Sequence, residues 1–412
     1  MSHLKTVLLN RAQLKQMVTE QAIKHIWLAN EIGVSEKTLT RWLKGDVIRI
    51  RIHNLNKLAL ALKCPKEDLI ATSETDAYPS EKNRDLLIDE LSSDGFLYEL
   101  MMSSKINLTV SLIKSTFHPR LPSAIMADFY IKLGYASLIH RQYKKAIHYL
   151  TQGLNKATSV ADHTLMFSAN LGLAITWFFH SELTKAHVHL TLCKKTIEYA
   201  GQEKAHFYST FALYELYCGH FDDAMEAANA CLNECLPGKP AIEKNVFKST
   251  ALQVLAACYV FQGDLDAAHH VCIESLSVAN QSGYKRSVAV SKGYLAAIYC
   301  VRGDFEYAEQ LIEQSLLLVN PEDISMPSLL GIAAYITHST NNVTQYHAYQ
   351  AEINTICPAN TVIHVFASYL MFARCQEQGS AQVTTVPLSD LDQALDRLGL
   401  TYWQRWLHKR YA

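Results

Sequence analysis

Three cations, Lys37, Arg41 and Lys44, stand at i, i+4 and i+7 in the stretch Ser-Glu-Lys-Thr-Leu-Thr-Arg-Trp-Leu-Lys that runs from Ser35 to Lys44, with Thr40 beside them. On a helix that spacing gathers them on one face, while Leu39, Trp42 and Leu43 fall on another. A packed helix showing cations and hydroxyls to solvent suits recognition of a polyanion, with charges on phosphates and donors on base edges. Catalytic chemistry finds no comparable pattern. There is no Gly-x-x-x-x-Gly-Lys-Ser/Thr, no Gly-x-Gly-x-x-Gly, no Gly-x-Ser-x-Gly and no His-Glu-x-x-His. His187 and His189 sit two apart and point to different helix faces. His269 and His270, near Cys272, diverge by about 100°. Cys231 and Cys235 lack a second pair at a zinc-site spacing. No cofactor, no metal and no catalytic residue is expected.

The elements that place those cations are two short helices and a tight turn. Leu28, Ala29 and Ile32 form the apolar stripe of a short buried helix. Gly33 supplies the backbone freedom for a sharp stop, and Ser35 stands where an N-cap belongs. The result is a helix-turn-helix with a recognition helix. Its residues, Leu28-Ala29, Gly33-Val34-Ser35, Leu39, Arg41-Trp42 and Gly45, resemble the lambda-repressor/Cro (Xre) class of DNA-binding domains over roughly residues 8–72. The apolar run Leu55, Leu58, Ala59, Leu62 and the short Lys66–Ile70 segment match that class's later helices, so a five-helix domain is implied. The loop from Asp46 to Ile52 departs from the class: it lacks the usual proline and carries Arg49 and Arg51.

Charge is distributed to match. The 412-residue chain is 49% hydrophobic and 19% charged, an ordinary folded composition, with net charge −1. Residues 1–63 hold eleven basic against four acidic side chains, which leaves an acidic remainder. A basic head on an acidic body fits a DNA-contacting domain joined to one that does not touch DNA. No apolar run reaches 18 residues and no signal-type segment opens the chain. Ten scattered cysteines without a Cys-x-x-Cys pair read as reduced thiols, so a cytoplasmic protein with no membrane partner is expected.

After a polar linker at 72–84, two helices are expected between Arg84 and Phe117, broken near Asp94-Gly95. The chain then repeats itself. A large apolar residue three positions before an alanine recurs at Tyr143/Ala146, Leu183/Ala186, Phe221/Ala224, Leu265/Ala268 and Phe305/Ala308. Twelve positions before each alanine stands a small residue: Gly134, Ala174, Ala212, Ala256 or Ala296. Small residues let antiparallel helices approach closely, and large ones fill the gaps between hairpins. The pattern resembles the tetratricopeptide repeat in a long-loop form of about 40 residues. Ser328–Ile356 reads as a degenerate sixth hairpin, Ile363–Arg374 and Leu388–Leu398 with Trp403 and Trp406 as a helical cap, and Gly379–Pro387 as a flexible loop. The reading is therefore all-α: a helix-turn-helix domain over 1–71, then a tetratricopeptide-like solenoid over 85–412.

In the tetratricopeptide register the concave surface is lined by Asp128, Tyr135, Leu138, Leu171, Phe178, His206, Leu213 and Gln253, with Asn170 close by. Aromatic groups interleaved with amide, imidazole and carboxylate suit an extended peptide, and the competing reading of each is packing or solvated surface. The two halves together resemble the RRNPP group of bacterial regulators (Rap, Rgg, Npr, PlcR and PrgX). That resemblance implies a homodimeric transcription factor whose helical domain binds a short signalling peptide and thereby resets the spacing of two DNA-binding heads. In that reading Lys37, Thr38, Thr40 and Arg41 meet base edges, while Lys44, Arg49 and Arg51 hold phosphates. Glu36 either accepts from a cytosine amino group or supports the helix start electrostatically. Two alternatives stay open: a solenoid that binds a protein partner and no small ligand, and an adaptor of the Rap kind whose head no longer binds DNA.

Overall fold

The computed structural model describes residues 6–21, 23–71, 81–92, 106–117, 121–235, 242–357, 361–365 and 388–411. Two compact units divide the chain, 1–93 with 114–121 and 94–113 with 122–412. The first holds α1 (Arg11–Glu20), α2 (His25–Ile32), α3 (Glu36–Lys44), α4 (Ile52–Ala61) and a 3-10 turn, Lys66–Leu69. The apolar stripes of all five converge: Leu14, Leu28, Ile32, Leu39, Leu55 and Leu58 are fully enclosed. Periodicity alone hides one feature. Arg49–Arg51 is not a loop but a strand, β2, paired antiparallel with β1 (Thr6–Leu8). The period of two buries Ile50 and turns Arg49 and Arg51 together to the outside.

Helix α5 (Glu81–Ser92) starts inside the stretch expected as linker, of which 72–80 lie outside the described residues. Helix α6 (Ile106–Thr116) follows, and the expected break at Asp94-Gly95 lies outside the described residues. Among the described residues the second unit holds a run of six hairpins. These are α7 (Ser123–Ile139) with α8 (Tyr143–Ser159), α9 (His163–Phe179) with α10 (Leu183–Lys195), and α11 (Lys204–Cys218) with α12 (Phe221–Glu234). They continue as α13 (Ile242–Gln262) with α14 (Leu265–Ser282), α15 (Lys285–Val301) with α16 (Phe305–Leu318), and α17 (Met326–Ser339) with α18 (Val343–Ile356).

The columns of small residues are where the helices touch. Ala146, Ala186, Ala224, Ala268 and Ala308 are completely buried, and a Cβ at Gly134 would stand 2.4 Å from Leu150 Cγ. In the first repeats the extra length is not in the loops. Helices α7, α8 and α9 each have 17 residues and are joined by three-residue connections, so there the length sits in the helices. Gly219, Gly263 and Gly303 turn the last three expected repeats in the left-handed region, and Arg141, Ser181 and Asn341 adopt the same conformation elsewhere.

The described tail begins against the last hairpin, where His364 Nε2 lies 2.8 Å from Asn354 Oδ1. The described pieces, α19 (Val362–Val365), α20 (Leu388–Arg397) and α21 (Thr401–Tyr411), also return to earlier repeats. Val362 N donates to Ser181 Oγ, and the wholly buried Trp403 donates from Nε1 to Tyr217 O at 3.0 Å. Trp403 packs edge-on against Phe221 and Phe261, which gives the apolar tail more surface to bury than one terminal helix face offers. The remaining expected tail segments, 366–387, lie outside the described residues. Arg141 closes the same unit from the other side: its guanidinium donates to the carbonyls of Pro321, Glu322 and Ile356 at 2.9, 3.1 and 3.2 Å.

Candidate functional sites in the head and the solenoid

Helix α3 is held at both ends. Ser35 Oγ accepts from Thr38 N at 3.1 Å and lies 2.8 Å from Thr38 Oγ1, so the first turn is capped and Thr38's hydroxyl is engaged. At the other end Arg11 Nε donates to Leu43 O at 2.8 Å, and Lys57 Nζ does the same for Ile32 O of α2 at 3.0 Å. These two cations satisfy orphan carbonyls where a positive charge complements the helix dipole. Part of the head's basic surplus is therefore structural.

The rest is free. Lys37, Arg41, Lys44 and Arg51 are exposed and bond to nothing among the described residues. Glu36 and Ser35 are exposed at the start of the same helix, Thr40 is half-buried on it, and Leu39, Trp42 and Leu43 anchor its back. Arg49 and Arg51 add two outward cations from β2. The head thus presents a rigid helix whose exposed face is cationic.

In the solenoid, a cavity of about 290 Å³ lies between the first helices of successive hairpins. Tyr135, His206 and Gln253 line it, as do Leu138 and Leu213. The other four residues read as groove-facing are engaged elsewhere, Leu171 as fully buried core. Asp128 pairs with Lys132 Nζ at 2.8 Å, one turn along its own helix. Asn170 donates to Met166 O and meets His189 Nδ1 at 2.9 Å, tying the two helices of its hairpin together. Phe178 is core, edge-on to Tyr217 at 5.2 Å, and its neighbour Phe179 takes the cavity wall instead.

The wall's polar groups are specific. His206 stacks on Phe247 at 4.6 Å, and burial pushes its imidazole down to about 4, so it is neutral at pH 7. Gln253 Nε2 donates to Ser291 Oγ at 2.9 Å and to Ser249 Oγ and Ser287 O at 3.2 Å. Arg286 forks onto Asp323, Nη2 to Oδ2 at 2.8 Å and Nε to Oδ1 at 2.9 Å. Burial pushes the Asp323 carboxyl up, but the Arg286 charge and hydrogen bonds outweigh that and hold it below its ordinary value. Tyr284 lies under Arg286, its ring centroid 5.3 Å from the guanidinium carbon, and burial pushes its hydroxyl up to about 12.

Sequence reading missed Thr250, Ala257, Val290, Ile175 and Arg286. The first four carry a signal: they stand six before or one after the small residue of their repeat, the offsets of His206 and Tyr135. Arg286 stands in the first turn of α15 and has no counterpart in the other repeats. His269 Nε2 meets Tyr299 Oη at 3.1 Å, and Cys272 is buried with its thiol pushed up to about 12. Among the described residues Glu215, His220 and Asp223 bring ligand-type atoms within 4.8 Å of one another, but the buried Glu215 carboxylate already binds His220 Nδ1 at 2.6 Å across the Gly219 turn. No helix of the described residues is long and apolar enough to cross a membrane.

Residues 13–74 match the Cro/C1-type HTH DNA-binding domain family. No curated protein matches the sequence. Similar solved structures include a Rap protein complexed with competence and sporulation factor (12% identity, 80% of this chain and 97% of that one, TM-score 0.49). Others are the apo form of RapI (11%, 77% and 86%, 0.43) and Bacillus thuringiensis PlcR in complex with the peptide PapR7 and DNA (10%, 83% and 98%, 0.28). The likeness is one of helical architecture. The chain carries a Cro/C1-type helix-turn-helix DNA-binding domain ahead of a tetratricopeptide-like solenoid.

Proposed function

We propose that this chain is a transcription regulator that binds double-stranded DNA as a homodimer, through α3, and whose solenoid cavity takes a ligand that alters DNA binding. The observation that carries the reading is the contrast on α3: a capped, anchored helix whose three outward cations bond to nothing among the described residues. A head kept only for packing has no use for such a face. Arg41 and Lys37 address base edges, and Lys44, Arg49 and Arg51 address phosphates. Two heads on one duplex meet half-sites about 34–36 Å apart, which a dimer supplies. A ligand acts to the extent that it binds the DNA-competent and incompetent states unequally. The cavity, with polar groups in an apolar wall, favours a ligand over a partner that only covers the surface.

The test is binding of full-length protein to DNA from its own promoter region across a salt series, with and without extract of the producing cells. Saturable, sequence-specific, salt-sensitive binding that the extract shifts is expected. Specific binding indifferent to extract removes the ligand from the reading. Absence of specific binding removes DNA and leaves the adaptor alternative.

A further inference from the structure

One short segment of the solenoid is gripped from two directions. Residues 320–325 join α16 to α17, between the fifth and sixth hairpins, and form no helix or strand of their own. From the α7–α8 turn of the first hairpin, Arg141 donates from Nη2 to Pro321 O at 2.9 Å and from Nε to Glu322 O at 3.1 Å. Its third contact, from Nη1 at 3.2 Å, takes the carbonyl of Ile356, the last residue of α18. Beside it His140 Nδ1 lies 3.5 Å from Glu322 Oε2. The second grip comes from α15, where Arg286 forks onto Asp323. The same carboxylate accepts from Ser325 N at 2.9 Å and from Ser325 Oγ at 2.7 Å, so Asp323 both shapes the segment and ties it to α15.

Arg141 stands where the other hairpins have small residues. Its backbone is left-handed, with φ +55°, and the same turn position in the later hairpins is Ser181, Gly219, Gly263, Gly303 and Asn341. A long side chain is disfavoured there, where glycine is at ease. Strain held at one repeat and avoided at the others points to a use for the side chain. Three carbonyls approached in different directions require the planar, many-donor guanidinium, which a lysine does not replace.

We propose that 320–325 is a clasp that holds the first hairpin to the last two, and that its two anchors, Arg141 and the Arg286–Asp323 fork, open and close together. Ordering a segment without secondary structure costs conformational entropy at every residue. Once one anchor has fixed the segment, the other meets it already ordered, so each strengthens the other. The coupling is reciprocal. Arg286, Ile324 and Ser325 line the cavity, so a change in the hold on Asp323 from inside the cavity reaches the α7–α8 turn through the clasp. The device belongs to the solenoid alone and stands whether or not the head reads DNA.

The experiment is hydrogen–deuterium exchange of the full-length protein, read peptide by peptide in the mass spectrometer. Arg141→Gly removes the guanidinium and supplies the residue that three other turns already use, so the turn keeps its shape. Asp323→Asn removes the charge that Arg286 grips at nearly unchanged size. Each variant is read at the anchor it does not alter. Arg141→Gly is expected to speed exchange at the amides of Asp323, Ser325 and Met326 by about fivefold or more. Asp323→Asn is expected to do the same at the amides of Arg141 and Gln142, which bond to Leu138 O and Ser137 O. In the double variant, exchange over 323–326 should be no faster than in the faster single variant, and α9 and α10 should exchange as in wild type. Loosening confined to the substituted anchor overturns the inference, as do factors that multiply in the double variant, because the contacts are then independent. An equal rise in α9 and α10 overturns it as well, since the contacts then open only with the whole fold.

Discussion

Arg41 and Arg286 carry the same guanidinium into opposite settings. Arg41 stands exposed on α3 and bonds to nothing among the described residues, while Arg286 is enclosed in the solenoid and forked onto Asp323. Exposed charges contribute little to stability, since solvent screens them and their side chains stay free. A buried, hydrogen-bonded pair is different, because either partner left alone becomes an uncompensated charge. Charge in the head is thus available to a partner outside the molecule, and charge in the solenoid is committed to the molecule itself. Substitutions should separate accordingly, into those that change binding and those that change folding.

The largest effect expected is from Arg286→Met. It strands the Asp323 carboxylate in a wall where burial already pushes that group up. A loss of about 3–5 kcal/mol is expected, read from urea unfolding of the full chain. Arg286→Met with Asp323→Leu should recover most of it, since no lone charge then remains. If the single variant were as stable as Arg41→Ala, the distinction between committed and available charge would fail.

Next in size is the acid response of His206. Its folded value, pushed down to about 4, lies below the ordinary value of 6.5, so the unfolded chain binds the extra proton first. The contribution is fully present above about pH 6.5 and is lost as pH falls toward 4. Over that window the loss amounts to about 3 kcal/mol. His206→Phe keeps an aromatic ring against Phe247 and has no proton to gain. Its stability should fall less than that of the wild type between pH 7 and pH 4.5. Identical pH profiles would show that His206 is hydrated in the folded protein.

The same contrast explains what the sequence revealed. The α3 face was legible because a helix's exposed charges obey a local spacing, and Leu39, Trp42 and Leu43 behind them fixed its orientation. The small-residue columns were legible because close approach of two helices excludes every larger side chain. Asp128, Asn170 and Phe178 were not, because their partners Lys132, His189 and Tyr217 are reached by rotamer and helix tilt, which a register does not encode. The ribbon that carries Arg49 and Arg51 is only three residues a side, too short for alternation to stand out. Arg141, reaching three carbonyls some 180 to 215 residues away, and Trp403, bonding to Tyr217, depend on the closure of the whole unit.

A smaller effect, and of the other kind, is expected from Arg41→Ala. Its stability should lie within about 0.5 kcal/mol of wild type, as for other exposed positions. Specific DNA binding should weaken by about 1–3 kcal/mol, with discrimination relaxed at the base it contacts. Lys44→Ala should instead weaken operator and random DNA alike and flatten the salt dependence. Equal affinity for operator and random DNA in wild type and in Arg41→Ala would remove the base-reading assignment.

Ser35 sharpens the boundary between the two kinds of residue, because it caps the helix proposed to meet DNA yet its hydroxyl is used internally. It accepts from Thr38 N and contacts Thr38 Oγ1, so Ser35→Ala should cost about 1 kcal/mol of head stability. The first turn of α3, which carries Lys37, then frays, and DNA affinity falls by less than for Arg41→Ala. Ser35→Asp restores a capping oxygen and should recover the stability, while its negative charge next to phosphate weakens DNA binding further. Stability and affinity would then move in opposite directions in one residue. If Ser35→Ala instead left unfolding unchanged and reduced DNA affinity as much as Arg41→Ala, the hydroxyl would be a direct DNA contact, and the capped turn would contribute nothing to the head.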